Sequence, residues 1–113
     1  MISCEIGGRT FTRSLLDKGA SVNILPKGVY DACPLGELQP LFIELSLADG
    51  SVRRPHGVVE DVIVKVENCY FPVDFIIVDM KSTKDLTASP IILGRPFLAT
   101  AKAIGLGQGR SYI

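Results

Sequence analysis

Ser14-Leu15-Leu16-Asp17-Lys18-Gly19-Ala20-Ser21 is the stretch on which the reading of this chain turns. An apolar run leads to one carboxylate, followed by Lys18 and the two small residues Gly19 and Ala20. This describes a strand ending in a tight loop that holds Asp17 out of the sheet. A single acid in such a place is a candidate for chemistry.

Upstream, Ile2 to Ile6 alternates apolar and polar side chains, Gly7-Gly8 supplies a two-residue turn, and Thr10 to Leu16 returns as a strand. Downstream, Val22, Ile24 and Leu25 resume an apolar strand, and Pro26 is placed to open a short helix running through Tyr30 to Cys33. Pro34, Gly36 and Pro40 punctuate an irregular connection. Ile43 to Ala48 and Ser51 to Arg54 flank Asp49-Gly50, a strong hairpin signal. In Val58 to Val66, the residues Val58, Val62, Val64 and Val66 share one parity and are expected to face inward together. A turn at Glu67-Asn68 leads to a strand over Tyr70 to Val78, and Lys81 to Ser89 reads as a surface loop. Ile91-Ile92-Leu93 is expected to be a short, fully buried strand ended by Gly94, with a helix from Pro96 through Ala101 or Lys102. Ala103 to Ile113 suggests a final hairpin.

Six or seven short strands with one or two brief helices predict a mostly β domain, a small closed or partly closed β-barrel. A doubly wound α/β fold would need several longer helices between strands. One internal echo stands out: Leu15-Leu16-Asp17-Lys18-Gly19 and Ile92-Leu93-Gly94-Arg95-Pro96 both run an apolar pair into a glycine-containing turn.

Composition narrows the function classes. The chain of 113 residues, 47% hydrophobic, has the size of one domain able to build a core without disulfides or metal. Twelve basic and twelve acidic residues balance, and no basic cluster follows a phosphate backbone, so direct nucleic-acid binding is not expected. Three scattered cysteines, Cys4, Cys33 and Cys69, with one histidine argue against a zinc site and fit reduced thiols in an intracellular, cytoplasmic protein. No apolar run approaches the ~20 residues of a membrane helix. The strand patterns at both ends lead us to expect a single domain, residues 1–113, excised from a longer polypeptide.

Four motifs occur in order over nearly the whole chain: Leu16-Asp17-Lys18-Gly19-Ala20-Ser21, Leu47-Ala48-Asp49-Gly50, Phe71-Pro72-Val73-Asp74-Phe75-Ile76-Ile77-Val78-Asp79, and Ile91-Ile92-Leu93-Gly94-Arg95-Pro96-Phe97-Leu98. Together they resemble the retropepsin-like aspartic protease domain of long-terminal-repeat retrotransposon (gag-pol type) polyproteins. The resemblance implies a β-barrel working as a homodimer on peptide or polyprotein substrate, without cofactor or metal. It implies that Asp17 is the catalytic aspartate and that Lys18, Gly19, Ala20 and Ser21 form its loop. It likewise makes Ala48, Asp49, Gly50 and Ser51 a substrate-covering flap, and has Leu93, Gly94 and Arg95 support the loop and open the last helix.

One departure bears on activity. Active members usually carry Thr or Ser after the aspartate, and that hydroxyl bonds across the dimer axis. Lys18 has donors but no acceptor and cannot replace it. Either Lys18 swings to solvent and the dimer survives, or it pairs with Asp17 and removes the shared proton. An inactive dimerisation or peptide-binding module is therefore the alternative to an endopeptidase. Other polar residues are expected to do less. Ser21 lacks a paired base, His56 should be exposed, Glu60 and Asp61 should diverge, Asp74 and Asp79 should face opposite ways, and Arg53-Arg54 reads as a solvated basic pair.

Overall fold

The computed structural model describes residues 2–33, 35–46, 50, 52–79 and 91–103. Eight strands and two helices follow in the order β1 (Ile2–Ile6), β2 (Arg9–Leu16), β3 (Ile24–Pro26), α1 (Lys27–Ala32), β4 (Leu45–Ser46), β5 (Val52–Arg53), β6 (Gly57–Val66), β7 (Cys69–Val78), β8 (Ile92–Leu93) and α2 (Arg95–Ala103). Six of them close a barrel in the order β1-β2-β8-β3-β7-β6, while β4 and β5 form a separate hairpin. The barrel is therefore closed, with more strands than the turn signals predicted, because several are only two or three residues long.

The decisive topological feature lies around β8. Strands β2 and β3 are consecutive in the chain yet do not pair; β8 lies between them, parallel to β2 and antiparallel to β3. Its register places Leu15 opposite Ile92 and Leu16 opposite Leu93. The sequence echo thus marks two segments that lie side by side.

The main core is built from Ile6, Leu25, Val29, Val59, Val64, Phe71, Phe75, Ile77 and Leu93, all at most 2% exposed. Helix α2 closes one end by inserting Phe97, whose ring centroid lies 5.1 Å from that of Phe71. A smaller cluster of Ile24, Ile76 and Val78, with Val22, Leu41, Leu45 and Ile92 against it, covers the opposite face of the same strands. Alternation explains the pair of clusters: Ile24 and Leu25, Ile76 and Ile77, Ile92 and Leu93 each split between two faces. Ile92 is accordingly half-buried, and the expected fully buried run does not hold at that position.

The expected parity of β6 is also corrected. Val59 is buried and Val58 only partly so, because a bulge between Val59 and Val62 sets an extra residue against β7. Asp61 takes φ 57 there, and its N–H donates to Asp74 Oδ1 at 2.9 Å. Glu60 and Asp61 are consequently both exposed, where simple alternation had them diverge.

Local boundaries shift for readable reasons. Pro26 is the N-cap of α1, in extended conformation, rather than its first helical residue. Helix α2 starts at Arg95 and continues to Ala103; Pro96 sits in its first turn, where a missing N–H costs little. The predicted loop over Lys81–Ser89 and the hairpin beyond Ala103 lie outside the described residues. Among the described residues no helix is long and apolar enough to cross a membrane, and no three His, Cys, Asp or Glu side chains gather as metal ligands. Cys4 and Cys33 are buried and Cys69 half-buried, all three as free thiols.

Candidate active site

The loop after β2 is held on both sides by the segment that begins at Ile91. Leu15 N donates to Ile91 O at 2.8 Å, and Asp17 N donates to Leu93 O at 3.0 Å. The turn closes when Ala20 N donates to Asp17 O at 3.2 Å, and Arg95 N then reaches Ala20 O at 2.9 Å. Gly19 N donates to Asp17 Oδ1 at 2.8 Å, which orients the carboxylate along its own loop. Asp17, Lys18, Gly19 and Ser21 are exposed, and Ala20 is half-buried. The carboxylate is therefore fixed by backbone while remaining open to solvent.

Leu93 and Gly94 are buried beneath this loop, and Arg95 presents an exposed side chain. Gly94 is needed for steric reasons: a Cβ there would lie 2.4 Å from Val22 O and 2.7 Å from Ala20 O. Only a residue without a side chain lets the two backbones approach this closely.

A residue that the sequence reading did not single out completes the clamp. Asn23 is 4% exposed; its Oδ1 accepts from Gly94 N at 2.8 Å and its Nδ2 donates to Asp74 O at 3.3 Å. Its carbonyl also accepts from Ile76 N at 2.9 Å. Asn23 thus joins the Asp17 loop, β7 and the entry to α2. A polar residue inside the apolar run Val22-Asn23-Ile24-Leu25 was the available signal, since such a group needs partners on burial.

Lys18 makes no ion pair with Asp17; the ion pairs among the described residues join Lys27 to Asp31 and Arg54 to Glu44. Of the flap residues, Gly50 takes φ 86, the left-handed conformation of a turn glycine, while Ala48, Asp49 and Ser51 lie outside the described residues. The hairpin at its base is formed by Leu45 opposite Arg53 and Ser46 opposite Val52. Leu45 packs on the Ile24, Ile76 and Val78 cluster, which Val22, the residue just after the Asp17 loop, also joins. The basic pair Arg53-Arg54 is divided by strand alternation. Arg54 is exposed beside Glu44, whereas Arg53 is half-buried with its Nε concealed, which corrects the reading of both as solvated.

The barrel as a whole is shared with two solved structures. The chain matches EIAV protease, in a structure complexed with the inhibitor HBY-793, at TM-score 0.69 and 16% identity over 99% of this chain and 89% of that one. The fold is retropepsin-like. The retroviral protease-like domain of Ddi1 from Leishmania major also matches, at TM-score 0.62 and 20% identity over 90% of this chain and 74% of that one. At these identities the likeness is one of fold. No protein-family model and no curated protein matches the sequence. Within the retropepsin-like frame, Asp17 occupies the loop between the two strands that flank β8.

Proposed function

We infer that the chain is an aspartic endopeptidase domain, active as a homodimer, that processes a retrotransposon-type polyprotein inside the cell. The observation that carries this reading is the Asp17 loop, a solvent-facing carboxylate held by four backbone hydrogen bonds and its own Gly19 contact. Peptide hydrolysis by carboxylates needs one group to take a proton from water as it attacks the carbonyl carbon. Another must protonate the carbonyl oxygen and later the leaving amine. One Asp17 cannot fill both roles. Two-fold symmetry brings a second Asp17 to the axis, and close carboxylates share one proton, so one enters as base and the other as acid. The hairpin carrying Gly50 then closes over an extended peptide and excludes water.

Purified protein is expected to cleave polyprotein-derived peptides at mildly acidic pH. A statin-type inhibitor should block this, and Asp17→Asn should abolish it. A folded dimer that cleaves nothing over a broad pH range refutes the endopeptidase reading.

The identity of Lys18 favours a second reading, a non-catalytic dimerisation or peptide-binding module. Its exposed position lets the ammonium remain in solvent rather than neutralise Asp17, and this supports the catalytic reading instead. Lys18→Thr decides between them: activity appearing only in that variant identifies Lys18 as the lesion. A strict monomer at high concentration rejects both the dimeric enzyme and the dimerisation module.

A further inference from the structure

We propose that Arg53 is a specificity-determining residue that selects peptides carrying a glutamate or aspartate beside the scissile bond. The proposal rests on the peptide-binding cleft assigned above and concerns which peptide enters it. Leu45 and Arg53 are directly paired across the β4–β5 hairpin, so their side chains leave the same face. Leu45 fixes which face that is, because it packs on the cluster of Ile24, Ile76 and Val78, which Val22, just after the Asp17 loop, also joins. Neighbouring residues take the other side: Arg54 Nε stands 3.5 Å from Glu44 Oε2, with side chains 85% and 61% exposed, and Val52 is 56% exposed.

Arg53 therefore leaves the hairpin on the same face as Leu45, and its Nε is buried without a hydrogen-bond partner. Among the described residues no carboxylate pairs with it. A concealed donor on a permanent cation is costly to leave unpaired, which favours a ligand that completes it. The planar fork of donors matches a carboxylate. An extended peptide lying between the hairpin and the Asp17 loop brings its side chains to this face, and an acidic one supplies the missing acceptor. The cation also repels a lysine or arginine at the same position, so discrimination has an attractive and a repulsive part.

The test uses fluorogenic peptides with a central Phe-Leu bond in which Glu, Gln, Lys or Leu is placed at each flanking position in turn. At one position or more, Glu is expected to exceed Gln by roughly tenfold in kcat/KM, the size of one charge-assisted hydrogen bond. Arg53→Gln should bring that ratio to about one, and Arg53→Glu should turn the preference toward Lys. Dye-labelled versions of the same peptides are titrated against the Asp17→Asn chain with and without Arg53→Gln, so that binding is read without cleavage. An Arg53-dependent Glu preference in binding with no hydrolysis by the unaltered chain refutes the endopeptidase reading and keeps the specificity assignment. Hydrolysis with no Glu preference at any position, or with a preference that survives Arg53→Gln, overturns the assignment and keeps the endopeptidase. Arg53→Met serves as the second neutral variant if Arg53→Gln melts early, and failure of every peptide to bind also overturns the assignment.

Discussion

Replacing Gly94 with alanine tests the clamp on which the site depends. The added Cβ would meet Val22 O at 2.4 Å and Ala20 O at 2.7 Å, both backbone atoms that cannot rotate aside. Either the Asp17 loop or the entry to α2 must move. Overpacking of this kind costs about 1–3 kcal/mol. The movement also stretches two hydrogen bonds, Gly94 N to Asn23 Oδ1 and Arg95 N to Ala20 O, each contributing about 1 kcal/mol. The expected loss is about 3–5 kcal/mol. In a domain of this length each kcal/mol shifts Tm by about 4 °C, so Gly94→Ala should melt about 12–20 °C lower. Gly8→Ala is the control, because φ is +80 there but nothing lies within 4 Å of the added Cβ. Only the left-handed backbone is penalised, by about 1–2 kcal/mol or about 4–8 °C. Thermal melts by circular dichroism, with urea unfolding to check that m is unchanged, provide the readout. A Gly94→Ala protein melting no lower than Gly8→Ala would refute the close-approach argument.

Asn23→Leu should lose about 2 kcal/mol, near 8 °C in Tm, because the buried Gly94 N–H is left without an acceptor. Differential scanning calorimetry measures this, and a loss below about 2 °C would show that Asn23 is not the clamp. For Cys4, burial pushes the thiol pKa up and the Ser14 hydrogen bond partly opposes this. The folded state then keeps the proton longer than the unfolded state. Stability is complete below the ordinary thiol pKa of about 8.5 and falls as pH rises above it, by no more than about 1.4 kcal/mol per pH unit. Urea titrations across the alkaline range should show a decline that is reduced in Cys4→Ala; an identical slope in both proteins would remove the thiol as its cause.

Much of the barrel was legible because its signals are local. Gly7-Gly8 and Glu67-Asn68 each provided a turn between β-rich runs, and the hairpins formed there in the expected order. The apolar pair before Asp17 announced a strand running into a loop, and that is how the chain places it. Readings failed where a neighbour in space overrides the local pattern. The bulge in β6 depends on Asp74 accepting the Asp61 N–H from the adjacent strand, so inspection of Val58 to Val66 alone misassigned which valine faces inward.

Sequence alone determined that this is a small mostly β barrel with one carboxylate, Asp17, at the end of an apolar strand, because turn chemistry and side-chain alternation act between near neighbours. Tertiary structure decided how that carboxylate is held and what surrounds it. Strand β8 enters between β2 and β3 from a distant part of the chain, Asn23 finds its partners in Gly94 and Asp74, and Gly94 matters because two backbones pass too closely for a methyl group. Arg53 and Arg54 show the same division at the scale of two residues. They are adjacent cations in sequence, yet the pairing of Leu45 with Arg53 puts one on the face of Leu45 and leaves the other in solvent.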